Sequence, residues 1–379
     1  MRDSGRAGTF LLQPGGYQAF LPSPLPPDPP VNFDAEMQSL LSRADRALGR
    51  LDGSIRTLPN PDLFVFMYVR KEAVLSSQIE GTQSSLNDVL EAEAEILNPD
   101  RPSDVNEVLN YVRAMNYGLE RLHALPLSVR LIREIHDILL AGVRGGHRNP
   151  GELRQIQNWI GPLGCTASEA SFVPPPPKLV PEALGELERF LHDGTLPALI
   201  QIGLAHAQFE TIHPFLDGNG RVGRLLISFL LYEKEILQTP VLYISHYFRR
   251  HRQEYYDRLQ AIRDHGHWEE WLKFFLRGIN EVSAEATKTA RSIVDLRESH
   301  RALITKEFGR VAGNGLRVLE HLYEKPIIRV QDIADLTKVT YPAANNLMGK
   351  FVEHALLVEI TGHARNRQFR YGKYIDLFN

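Results

Sequence analysis

Cysteine is almost missing: Cys165 is the only one in 379 residues. An internal disulfide is therefore excluded and the composition fits a reducing compartment. Nothing beside Cys165 marks it as an activated thiol. Long apolar runs are missing as well. No stretch approaches the ~20 residues that span a bilayer, and between Met1 and Pro30 the only apolar run is Phe10-Leu11-Leu12, too short for a signal-peptide core. Charge of one sign is not in excess either. A formal net charge of -3 gives no global drive toward nucleic acid or a membrane surface, so any such surface must be local. No G-x-x-x-x-G-K-[ST] occurs, which excludes a P-loop. These absences predict a cytoplasmic protein without membrane contact.

The chain is long enough for two or three domains with real cores, and 43% hydrophobic with 23% charged residues is ordinary for a globular protein. One stretch concentrates chemistry: His213-Pro214-Phe215-Leu216-Asp217-Gly218-Asn219-Gly220-Arg221-Val222-Gly223-Arg224. A histidine can take a proton near neutral pH. Asp217 is a hard oxygen ligand of the kind Mg²⁺ accepts when phosphates also hold it. Gly218-Asn219-Gly220 permits a tight turn whose N–H groups face inward, and the following residues open a helix whose free N-terminus attracts phosphate. Arg221 and Arg224, three apart, share a helical face and offer two forked guanidiniums.

The stretch resembles the Fic family signature H-x-F-x-[D/E]-G-N-G-R-x-x-R at every specified position. That resemblance implies transfer of AMP from ATP to a Ser, Thr or Tyr hydroxyl of a target protein or of the chain itself. It implies His213 as general base, Asp217 as the Mg²⁺ ligand, and ATP contacts from His213, Gly218, Asn219, Gly220, Arg221, Val222, Gly223 and Arg224. The phosphate-transferring type of the family carries Lys at the position of Gly220, which argues against that chemistry here.

Ser76-Ser77-Gln78-Ile79-Glu80-Gly81 reads as a helix end, with Ser76 and Glu80 on one face and Gly81 as a C-cap. It is similar to the family's inhibitory motif [S/T]-x-x-x-E-[G/N]. The resemblance implies that Glu80 enters the nucleotide site, pairs with Arg224 and competes with the γ-phosphate. In relatives a tyrosine of a pair contacts adenine, which implies Tyr256 first and Tyr255 second. A flap over 152–177 is implied to clamp the target segment by edge-strand addition.

Along the chain we expect a Pro-rich, polyproline-like arm over 1–33 and a helical region over 34–110 that holds the inhibitory helix. A catalytic core follows over 111–280, then a connecting helix over 281–305 and a winged helix over 306–379. The first helix carries an apolar stripe of Met37, Leu40, Leu41, Ala44 and Leu48, and the second starts at Asn60-Pro61-Asp62. Leu153 to Ile160 alternates with period two and should form a hairpin with Phe172-Val173. Phe215 should pack onto the helix that follows it. His136 reads as structural or surface. His206 and His213 lack the supporting ligands of a zinc site.

The fold class is mainly α, an all-helical core with a small β-hairpin flap and a C-terminal winged helix. On that last unit Arg365, Arg367, Arg370 and Lys373 would lie on or beside the wing, with Asn345, Asn346 and Lys350 on the second helix. DNA and protein are both open as its partner. A second functional reading also stays open, a DNA-bound regulator whose site modifies itself or removes AMP from a partner. Family members often form dimers, and no residue pattern here decides that.

Overall fold

The computed structural model describes residues 5–56, 62–96, 100–162, 164–363 and 365–378. The expected helix start at Asn60-Pro61 and the turn residue Ala364 lie outside them.

Helices dominate. Ahead of them stand two short strands, β1 (Gly8–Leu12) and β2 (Gln18–Pro22), paired antiparallel with Phe10 opposite Phe20. Residues 8–22 of the arm are thus a hairpin rather than a polyproline-like extension, and residues 23–34 carry neither strand nor helix. The Gln13 to Tyr17 turn closes on itself, with Gln13 N–H donating to Tyr17 O at 2.9 Å. Its Pro14-Gly15-Gly16 works as the turn of a hairpin, where sequence reading took it for part of a polyproline-like arm. Phe20 is wholly buried, and its N–H donates to Val173 O at 2.9 Å, so the hairpin sits on the exit of the flap.

Next come α1 (Ala35–Arg56), α2 (Asp62–Ile79), α3 (Leu86–Glu93), α4 (Val105–Leu122) and α5 (Val129–Leu140). The stripe expected on α1 is buried at Met37, Leu40, Ala44 and Leu48 and continues through Leu51 and Ile55, while Leu41 is half-buried. The acidic start of α1 is tied to a later helix: Lys273 Nζ stands 2.7 Å from Asp34 and 2.8 Å from Glu36. A reciprocal Ser85–Asp88 capping box starts α3.

At the centre are α6 (Val180–Leu191), α7 (Ala198–Ile212) and α8 (Asn219–Glu233). Every residue of α7 from Leu199 to Ile212 is buried, the mark of a helix surrounded on all sides. Around them run α9 (Ser245–Arg250), α10 (Arg252–His265) and α11 (Trp268–Glu307). At 40 residues α11 is about 60 Å long. It passes unbroken through Asn280–Glu281, where a separate connecting helix was expected to begin. Gly278 does not stop it. That glycine is needed because a Cβ there would lie 2.6 Å from the Tyr247 ring.

The C-terminal module contains α12 (Ala312–Glu324), β3 (Ile327–Arg329), α13 (Val330–Thr337), α14 (Tyr341–Glu353), β4 (Val358–Glu359), β5 (Gln368–Arg370) and the short α15 (Gly372–Ile375). Its strands form one antiparallel sheet in the order β3-β5-β4. The three-residue β3, pressed against Pro326, carries too little alternation to be read from sequence. The module is fastened to the rest: Phe378 meets the Tyr68 ring of α2 edge-on at 5.2 Å, and His300 Nδ1 lies 2.6 Å from Tyr371 Oη. No helix among the described residues is long and apolar enough to cross a membrane.

Candidate active site around residues 213 to 224

Helix α7 stops because His213 takes a left-handed conformation, φ 48° and ψ 60°. That geometry is unfavourable for a non-glycine residue, so it must be held from outside. Arg154, which the sequence did not single out, holds it. Its Nε donates to His213 O at 2.9 Å, and its Nη2 donates to Pro175 O at 2.6 Å and Ile212 O at 3.3 Å. Its own N–H donates to Pro214 O at 2.9 Å. The last carbonyls of a helix lack intrahelical donors, and one buried guanidinium supplies them here while stitching both ends of the flap to the loop. Burial pushes Arg154 down to about 10. The His213 imidazole is half-buried, and its Nδ1 has no hydrogen-bond partner among the described residues. Burial first, then Arg263 and Arg154, push it down to about 3, so the ring is neutral at physiological pH.

The rest of the loop is clasped by three side chains. Asn219 Oδ1 accepts from Phe215 N and Asn219 Nδ2 donates to Phe215 O, both at 2.8 Å. Asn158 Nδ2 donates to the same carbonyl at 2.9 Å. Phe215 is wholly buried, and its ring stacks on His136 of α5 at 3.7 Å between centroids, so its stacking partner is not on the helix that follows the loop. His136 is a structural pillar. Gly151 N–H donates to its Nδ1 at 2.9 Å, which places the ring proton on Nε2, 3.0 Å from Asp217 O.

Burial pushes His136 down to about 4. Its folded value lies below the unfolded one near 6.5, so the unfolded chain binds a proton that the folded chain rejects, and stability falls as pH drops from about 6.5 to about 4. We expect urea unfolding to show this loss, about 3 kcal/mol for this ring. In His136→Gln the decline over that window should be shallower by up to ~1.4 kcal/mol per pH unit, one proton's worth. An unchanged slope would remove His136 from the acid response.

Gly218, at φ 77°, enters α8, and no side chain among the described residues caps that helix. Asp217 Oδ1 accepts from Gly218 N at 2.6 Å, and its side chain is 40% exposed. A Cβ on Gly145 would lie 2.8 Å from Asp217 Oδ2. Among the described residues no group of three or more His, Cys, Asp or Glu could hold a metal ion. Asp217 therefore offers a single open carboxylate.

The two arginines diverge. Arg221 is wholly buried and turns to Glu107 of α4, with Nη1 at 3.1 Å from Oε2 and Nη2 at 3.6 Å from Asp217 Oδ1. Arg224 turns to α2. Its Nε donates to Ser76 Oγ at 2.8 Å, and its Nη2 donates to Ser76 O at 3.0 Å and to Glu80 Oε1 at 2.6 Å. Burial alone would push the Glu80 carboxyl up, but the Arg224 guanidinium prevails and holds it below the usual range. Gly81, at φ 97°, lets the chain leave α2 at that point. Gly220 leaves room for the same contact, because a Cβ there would push against Glu80 Oε1. The two stretches singled out in the sequence, 76–81 and 213–224, thus meet in one ion pair.

The chain matches the family described as Fic/DOC family N-terminal over residues 38–120 and Fic/DOC family over residues 126–231. The chain belongs to the Fic/DOC family. Among curated relatives, the protein adenylyltransferase Fic of Drosophila yakuba is 30% identical over 210 residues, 52% of this chain and 38% of that protein. Its namesake in Drosophila melanogaster is 33% identical over 133 residues, 33% of this chain and 24% of that protein. The chain therefore spans well under half the length of these relatives. A Fic family protein from Desulfovibrio desulfuricans G20 superposes with a TM-score of 0.60 at 18% identity, covering 90% of this chain and 97% of that one. A Fic domain containing signaling protein from Bacteroides thetaiotaomicron gives 0.53 at 18%, covering 68% and 97%.

Around the Fic loop, Glu210 and Arg263 were not legible in the sequence, and His206 was read there only as lacking the partners of a zinc site. His206 bridges Gly223 O at 2.8 Å and Tyr255 Oη at 2.9 Å. Tyr255 is thus committed to the core, while its neighbour Tyr256 is 39% exposed. Val222 is wholly buried beneath the loop. Glu210, three residues before His213, is buried against Gly223 with Oε1 unpartnered among the described residues, and burial pushes it up to about 7. Arg263 caps Glu210 O at 3.1 Å and lies over the Phe172 ring at 3.9 Å.

The Fic flap is looser than its alternation suggested. One antiparallel bridge, Ile160 with Phe172, closes it, and residues 153–160 form no strand. Arg154, Gln157 and Asn158 spend their side chains on the loop and on Pro174 and Pro175, which pulls the backbone out of the extended register. Ile156, Trp159 and Ile160 stand exposed at 62%, 42% and 37%.

Proposed function

We propose that this chain transfers AMP from ATP to a protein hydroxyl and that its resting state is restrained by Glu80. The observation that carries the reading is the N-terminus of α8, without a side-chain cap among the described residues and reached through one short loop from a neutral His213 whose Nδ1 has no partner among them. A helix N-terminus receives phosphate, and a neutral imidazole can receive a proton. In the reaction, the target oxygen attacks the α-phosphorus of ATP. The bond to the β-phosphate oxygen breaks, pyrophosphate leaves, and the hydroxyl proton passes to His213. Gly218, Asn219 and Gly220 line the phosphate path with backbone, Asn219 chiefly by shaping the loop. Arg224 is the guanidinium for the outer phosphates once Glu80 withdraws. Arg221, tied to Glu107, acts through the loop and the Asp217 carboxylate. Tyr256 is the open aromatic for adenine.

The half-exposed Asp217 fits Mg²⁺, which commonly binds through one or two carboxylates together with phosphates. Bound there, the ion would neutralise phosphate charge. The exposed apolar side chains of the flap are the docking edge for a target segment. The C-terminal module, by its element order and sheet, reads as a winged helix serving DNA or protein contact.

The test follows label from ATP marked at the α- or γ-phosphate, using wild type and Glu80→Gly. Label from the α position on protein supports AMP transfer. Label only from the γ position would mean phosphoryl transfer, and none from either would leave a nucleotide-binding module.

A further inference from the structure

A groove of about 440 Å³ runs between α1 and α11, far along the chain from the catalytic loop. Five basic side chains line it, Arg43, Arg46 and Arg50 from α1 and Lys288 and Arg291 from α11, and no acidic one does. The two helices run parallel, since Lys273 and Arg277 of α11 meet Glu36 at the start of α1. The three arginines, spaced three and four apart, hold one face of α1 for about 10 Å.

All five are exposed, and none makes an ion pair among the described residues. Arg43 and Arg46 give only their Nε to carbonyls of their own helix, at 3.4 Å and 3.2 Å. Of the acids nearby, Glu281 and Glu285 face Arg250 at 2.6 Å and 3.3 Å and Asp52 faces Arg56 at 3.9 Å, while Asp295, one turn beyond Arg291, makes no ion pair among the described residues. Asp45, on α1 itself, has its carboxyl raised by burial, with no cation pulling it down. For a chain of net charge -3, this is a strong local concentration of positive charge.

We infer that this groove binds the phosphate backbone of nucleic acid without reading its sequence. Unpaired guanidiniums on two parallel helices suit a line of phosphates. Among the described residues no aromatic side chain lines the groove for base stacking and Asn280 is its one side-chain amide, so phosphate contact is what the groove chiefly offers. A membrane surface is disfavoured because the exposed large apolar side chains among the described residues lie on other elements. The groove is also better placed for phosphate than the wing, where Arg367 is spent on Asn345 at 2.9 Å and Arg370 on Asp376 at 3.1 Å. The inference stands independently of the catalytic reading.

The experiment is fluorescence anisotropy of a labelled random-sequence DNA duplex with the full chain across a salt series. Wild type should bind at low salt, with log K falling linearly against log salt. The triple variant Arg43→Gln/Arg46→Gln/Arg50→Gln should lose ~0.9 of slope per contact removed and bind at least about tenfold more weakly. The matching Arg→Lys triple should restore most of both. The glutamine triple should keep the thermal unfolding midpoint of wild type, which checks that α1 still folds. Three results would overturn the inference: no salt-dependent binding by wild type, binding lost in Arg365→Gln/Arg367→Gln but kept in the groove triple, or tight binding of inorganic tripolyphosphate without duplex binding.

Discussion

Glu80→Gly is expected to raise AMP transfer roughly ten- to hundredfold, the factor that follows from a charge-assisted hydrogen bond worth about 1.5–3 kcal/mol. The bond in question joins Arg224 Nη2 and Glu80 Oε1 at 2.6 Å. Removing the carboxylate does not strand the guanidinium, because Ser76 Oγ and Ser76 O still accept from it. Nor does it disturb helix α2, which ends one residue earlier at Ile79. What changes is that Arg224 becomes available to an outer phosphate and a negative charge leaves the site. Affinity for ATP should therefore rise together with the rate, and isothermal titration reads that directly. Equal transfer rates in wild type and variant would mean that the pair restrains nothing, whatever its geometry.

That pair was legible because both its halves are short, contiguous motifs. Loop 213–224 carries its signature in consecutive residues, although Arg154, Asn158 and His136 hold its shape from other elements, and 76–81 needs only a helix end. The supporting residues were not legible, for a physical reason. Glu107 and Arg263 reach the loop from distant elements, and a long polar side chain chooses its partner by tertiary proximity rather than by sequence spacing. Arg154 illustrates this best. In sequence it is one member of a period-two run, while in the fold it satisfies carbonyls of residues 175, 212 and 213. The same clamp explains why the expected flap strand is absent. Arg221 and Arg224 fail the shared-face expectation similarly, since their Cα atoms are aligned but each side chain follows its own carboxylate.

Helix α1 was set by its apolar spacing. Misreadings arose where a composition cue had two meanings. Pro14-Gly15-Gly16 marks a linker or a hairpin turn equally well, and only the burial of Phe20 decides between them. The weakly apolar stretch after Asn280 resembles a connector, yet it is the second half of α11 and buries Val282, Ala286, Ala290 and Ile293.

The largest loss is expected at His213. His213→Ala should lower transfer by roughly 10²–10⁴, the usual contribution of a positioned general base, while ATP affinity stays near that of the parent. Measured in the Glu80→Gly background, the rate has room to fall. His213 itself already bears the left-handed backbone cost of about 1–2 kcal/mol, and His213→Asn is the companion variant because asparagine tolerates that region better than alanine. Both should bind ATP and fail to transfer. Full activity in either would refute the base assignment. The pH profile gives a second check with a definite sign. Only the neutral ring can accept a proton, and the folded-state value of about 3 keeps it neutral, with Glu80 one of the groups that hold it up. Removing Glu80 can only lower it further. Transfer by Glu80→Gly should therefore stay level as pH is lowered through 6.5, where a solvated histidine would already be losing its function.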